Sequence, residues 1–230
     1  MVTLHETKES RVFLTMGANG LGKVSLRQEV EEGIIGAVKR DWTVNDKSGT
    51  KYEILHNAID GIISNIEIRK EETKGFGDQL VITFEKEVSV VINTDSRFGS
   101  SILRQLPNVD LTKPLKLMPY SYTPKGKDKE VTGVSLKQGV GFEDKISDFF
   151  FDFENKKSLH GIPEATFDFA TAEEWETKKF WSDVDNFLQT YTIEKVIPNL
   201  VEFVADVAEE SKQEVVTGIN DDIAPEDIPF

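Results

Sequence analysis

The chain contains no cysteine, which rules out disulfides and thiolate metal sites and fits a reducing compartment. Histidine is nearly missing as well: His5, His56 and His160 are scattered, with no carboxylate partners at ligand spacing. No Ser or Cys nucleophile motif and no acidic cluster with the spacing of a metal-dependent nuclease is present, so the chain is expected to have no cofactor and no enzymatic activity. No apolar run approaches membrane length and no charged-then-apolar leader opens the sequence, so a cytoplasmic protein without membrane contact is expected. Positive charge is also in short supply, with 27 Lys and Arg against 41 Asp and Glu, a net of −14. A balance this acidic ordinarily argues against a nucleic-acid partner.

The total hides an uneven distribution. Residues 1–140 carry 20 cations against 19 carboxylates, whereas residues 141–230 carry 7 against 22. The first part is close to neutral and contains local basic clusters, so charge has to be judged segment by segment.

That first part is dense in strand signals. Residues 10–16 and 22–28 form a hairpin pattern around Gly17-Ala18-Asn19-Gly20, with Val24 and Leu26 alternating against Ser25 and Arg27. Residues 17–23 also have the spacing of a phosphate-binding loop, but Val24 stands where magnesium needs Ser or Thr, and a strand pattern follows instead of a helix. Further strands are predicted over 35–44, 52–57, 61–70, 79–85 and 88–93, separated by turn-rich stretches. A short helix over 95–105, capped by Asp95 or Ser96 and stopped by Pro107, precedes a second hairpin over 115–123 and 130–138. The pattern predicts a mainly β fold with some α, in which an antiparallel OB-like barrel fills residues 1–140.

Within this body, rings stand next to cations. Trp42 follows Lys39 and Arg40, Tyr52 follows Lys51, Phe76 follows Lys74, and Tyr120 and Tyr122 lead into Lys125, Lys127 and Lys129. Unpaired nucleic acid needs this mixture, because rings stack on bases while Lys and Arg neutralise phosphates, and no base-edge reading is required. Tyr120 and Tyr122 lie two apart, so on a strand both rings emerge on one face. Each ring taken alone fits core or cross-strand packing better than a stacking platform, and only the Tyr120 to Lys129 set is balanced between the two.

From residue 141 the pattern turns acidic and helical. Phe149, Phe150, Phe151, Phe153, Phe167 and Phe169 are too apolar for a free linker and are expected to dock on the barrel. Residues 172–189 and 192–211 show helical spacing, with Phe180, Val184, Phe187 and Leu188 on one face, Trp175 and Trp181 assigned to packing, and Pro198 kinking or restarting the second helix. A helical region packed on the barrel is thus expected over 141–215, followed by a flexible acidic tail over 216–230.

The last residues, N-D-D-I-A-P-E-D-I-P-F, place Asp221, Asp222, Glu226 and Asp227 before Ile228, Pro229 and Phe230. A terminal Phe offers a ring to an apolar pocket and a carboxylate to a basic rim, while the acids steer the peptide and make its binding salt-sensitive. This end resembles the acidic tip of bacterial single-stranded DNA-binding proteins, matching Asp227-Ile228-Pro229-Phe230 residue for residue, although Ala224-Pro225-Glu226 interrupts the usual acid run. The late hairpin, with its rings, basic turn and Thr132-Gly133-Val134-Ser135, has a general likeness to bacteriophage single-stranded DNA-binding proteins. The resemblance implies a protein of DNA replication, recombination and repair that covers single-stranded DNA and recruits replication and repair proteins through its tail. The alternative is an acidic decoy or DNA mimic that captures host partners through the tip without binding DNA.

Overall fold

The structure is a computed structural model that describes residues 11–18, 24–44, 47–71, 77–126, 128 and 130–200. Among these, most strands gather into two sheets. The larger contains β1 (Val12–Ala18), β2 (Val24–Val30), β3 (Val38–Val44), β4 (Lys47–His56), β6 (Ile63–Arg69), β7 (Gln79–Phe84) and β8 (Val88–Asn93), in the order β3-β4-β2-β1-β8-β7-β6. The smaller contains β5 (Ile59–Gly61), β9 (Leu115–Tyr122), β10 (Val131–Gln138) and β11 (Asp144–Lys145), in the order β11-β10-β9-β5. A two-stranded ribbon joins β12 (Phe151–Asp152) and β13 (Lys157–Ser158).

The mainly β character matches the sequence expectation, but the described strands do not close into a barrel. The larger sheet ends on β3 and β6, and it is mixed because β1 runs parallel to β8 while its other pairs are antiparallel. β5 and β6 are nearly continuous in sequence yet belong to different sheets, so the chain turns a corner at Gly61, whose φ of 156° favours glycine.

The helix predicted over 95–105 is α1 (Arg97–Gln105). The side chain of Ser96 accepts from the Gly99 amide at its start, and Pro107 converts the chain into a short 3-10 turn at its end. α2 (Glu174–Tyr191) opens where the Glu173 amide donates to the Glu176 carboxylate at 3.0 Å. Beyond it the chain makes a π turn over Thr192–Val196, in which the Ile197 amide reaches back to the Thr192 carbonyl. Helical backbone then continues through Leu200. Pro198 has no amide to offer the Glu194 carbonyl and would clash with it in a regular helix, so the widened turn accommodates the proline without ending the helix.

A single apolar cluster ties these parts together. Leu26, Leu80, Ile82 and Val90 of the larger sheet meet Leu117, Val134 and Leu136 of the smaller one, with Ile102 and Leu103 of α1. Phe150, Val184, Leu188 and Val196 join the same cluster from beyond residue 141. That later region is largely irregular between Gly139 and Glu173, with a 3-10 turn at Val140–Phe142 and the short strands β11, β12 and β13, and α-helix only from Glu174 onward. Its phenylalanines divide accordingly: Phe150 is fully enclosed, whereas Phe153 is 71% exposed.

α1 also closes an edge of the smaller sheet. Above β11, the backbone of β10 turns Val134 and Leu136 towards the helix, where Ser101 and Gln105 lie one turn apart. Gln105 Nε2 donates to the Val134 carbonyl at 2.9 Å, the Leu136 amide donates to Gln105 Oε1 at 3.2 Å, and Ser101 Oγ donates to the same Val134 carbonyl at 3.0 Å. Two helix side chains therefore take the place of a missing neighbouring strand.

Candidate nucleic-acid interface

The ring and cation pairs expected on the sequence fall in separate places. On the β3–β4 hairpin the register sets Lys39 opposite Tyr52 and Arg40 opposite Lys51. Alternation then puts Arg40, Trp42 and Lys51 on one face of the sheet and Lys39 and Tyr52 on the other, so the five do not form one surface. The polar groups are already engaged with carboxylates. Arg40 holds Glu53 through Nε and Nη2 at 2.6–3.0 Å, and that hydrogen bonding raises the pKa of its guanidinium. Arg27 shares the same carboxylate at 3.7 Å, while burial lowers its own pKa. Lys51 pairs with Glu29 at 2.5 Å, and the Tyr52 hydroxyl donates to Glu32, which pushes its titration up. Trp42 lies against Gly49, where a Cβ would meet the indole at 3.0 Å, and its Nε1 is buried without a hydrogen-bond partner among the described residues.

The β9–β10 hairpin is different. Leu115, Leu117 and Pro119 point inward and are buried, which turns Lys116, Met118, Tyr120 and Tyr122 to the opposite face. The register adds Lys137 beside Lys116 and Lys145 beside Lys137, a row of three ammonium groups across three adjacent strands. Tyr120 and Tyr122 follow along β9 with ring centroids 6.0 Å apart and planes inclined by 36°. Tyr122 is 55% exposed, while Tyr120 lies across the β10 backbone at Gly133, where a Cβ would come within 2.6 Å of its hydroxyl. Burial, with Tyr122 nearby, raises the Tyr120 hydroxyl above the usual phenol range, so it remains a neutral donor near pH 7. Lys116 is steadied by the Phe142 ring, 5.4 Å from Nζ to the centroid. Lys125 is exposed in the turn beyond Tyr122.

Tyr120 and Lys145 also line a groove of about 1470 Å³ between α1, α2 and the segment 145–153. Its walls carry Arg97 on α1, Trp181 on α2, and Phe151 and Phe153 on the ribbon. Arg104 lines it too, but is held by Asp148 at 2.8 Å. The groove also has an acidic part: Asp78, Asp95 and Asp185 line it where Gln189 and Thr94 donate to Asp185 Oδ2 at 2.6 Å and 3.3 Å. Burial raises the pKa of Asp185, and the negative charges of Asp95 and Asp78 push it further in the same direction.

Sequence reasoning missed the groove. It placed Trp181 in packing, and Trp181 does pack on Phe169 and Phe180, but the residue is also 51% exposed and lines the groove, and Trp175 is 64% exposed. A signal was present: Phe180 and Trp181 are consecutive on a helix, so both cannot face the core. Lys74, Phe76, Lys127 and Lys129 lie outside the described residues, as do Asp221, Asp222, Glu226, Asp227, Ile228, Pro229 and Phe230 of the tail. Among the described residues no group of three or more His, Asp or Glu is placed to hold a metal ion, and no helix is long and apolar enough to cross a membrane. No family model matches the chain, and neither a curated protein nor a solved structure does.

Proposed function

We propose that the chain binds single-stranded DNA without sequence preference, in replication, recombination and repair, as its resemblance to bacteriophage single-stranded DNA-binding proteins implies. The observation that carries the reading is the outer face of the smaller sheet, where Tyr120 and Tyr122 stand beside the row Lys116, Lys137 and Lys145. Rings at that spacing stack on successive bases, and the lysines neutralise the phosphates that follow. The OB-like role assigned to the body rests on the succession of strands, one helix and a final hairpin, with the hairpin supplying the gripping surface. In this reading the β3–β4 cations maintain the sheet, because their charge is met by Glu53 and Glu29. The tail carries Phe230 and its acids to replication and repair proteins.

Titration of the full chain with oligothymidylate at several salt concentrations tests this. If three lysines meet phosphates, the logarithm of affinity should fall against the logarithm of salt with a slope of about −2, and each Lys→Gln substitution at 116, 137 or 145 should flatten it by about 0.7. No binding, even by a chain lacking Asp221–Phe230, sinks the proposal and favours the acidic decoy instead.

A further inference from the structure

We infer that a bound strand leaves the tyrosine face and continues into the groove between α1 and α2, where Trp181 is a further stacking platform. The inference rests on the single-strand reading and extends its site to residues that the sequence pattern assigned to packing.

Tyr120 and Lys145 belong to both surfaces, so the tyrosine face opens directly into the groove. At about 1470 Å³ the groove exceeds the roughly 300–1,000 Å³ of a small-molecule pocket, which suits an extended chain better than a compact ligand. Trp181 is braced from behind. Phe169 stacks on it at 5.8 Å and 27°, and Phe180 meets it at 5.0 Å and 66°, so the indole is held in place while half of its surface stays open. A ring fixed in this way loses little freedom when a base lies on it. Phe153, 71% exposed and edge-on to Phe151 at 4.9 Å, offers a second ring that lines the groove.

The charges give the strand an orientation. Arg97 and Lys145 are exposed, make no ion pair with another described residue, and line the groove from α1 and β11, whereas Trp181 lines it from α2. Phosphates running along that side leave the bases facing Trp181. The carboxylates of Asp78, Asp95 and Asp185 line the same groove and repel phosphate, so the path keeps to the side of Lys145 and avoids them.

The chain has three tryptophans, which makes the inference separable from the reading on which it rests. In the full-length W42F/W175F variant, Trp181 is the sole source of indole emission. Added oligothymidylate should quench that emission, and Trp181→Ala in the same full-length chain should weaken binding by about tenfold, with Trp181→Phe restoring most of it. Binding that leaves Trp181 emission unchanged and is indifferent to Trp181→Ala overturns the groove path but keeps the tyrosine face. Failure of the unsubstituted chain to bind overturns both.

Discussion

The carboxyl of Asp185 sits where burial opposes its charge and where Asp95 and Asp78 add more of the same sign. A raised carboxyl pKa means that the ionised form is disfavoured in the folded chain, so folding is penalised at neutral pH, and the penalty is relieved as pH falls through the raised value and is gone below the ordinary value of 3.8. Asp185→Asn keeps an oxygen acceptor for Gln189 and Thr94 and removes the charge. The variant should melt higher at pH 7, by no more than about 2–4 °C because solvent screens part of the effect, and the gain should vanish near pH 3.5 in a thermal scan. Residues also show what sequence can and cannot reveal. The common face of Tyr120 and Tyr122 follows from their spacing, because alternation along a strand is local. The engagement of Arg40 with Glu53 and of Lys51 with Glu29 depends on which strands become neighbours, and no window of sequence carries that information.

Elements were the most legible level. The β-branched runs over 79–84 and 88–93 appear as β7 and β8, and the apolar periodicity over 174–188 appears as the inner face of α2. The parallel pairing of β1 with β8 was not visible, since it joins segments separated by six other strands. Nor was the way α1 satisfies the edge of β10, which uses two polar side chains that the helical pattern marks only as hydrophilic. That contact has a measurable weight. Gln105→Ala leaves the Leu136 amide buried without its acceptor, which costs about 1–3 kcal/mol, while the Val134 carbonyl keeps its Ser101 donor. Urea unfolding should register a loss of about 2 kcal/mol, and Ser101→Ala in the same background should lower it further because the two side chains share one carbonyl.

Over the whole molecule, charge is segregated: the acids concentrate beyond residue 140, while the proposed grip on DNA lies on three lysines before and just after that point. A negatively charged tail tethered to such a surface has a high local concentration and competes with phosphate for the same cations. Deleting Asp221–Phe230 should therefore raise oligothymidylate affinity, most strongly near 50 mM salt and little near 200 mM, where screening is stronger. Equal affinity of the two chains at low salt would count against self-competition. The acidic half is nonetheless more than a counterweight. Because Phe150, Val184 and Leu188 lie in the same apolar cluster as Leu117 and Leu136, the β9–β10 hairpin borrows its interior from residues beyond 140. A truncated version stopping at residue 140 would strip that lining away, so the smallest unit that keeps the proposed DNA surface folded extends through α2 and inherits its negative charge.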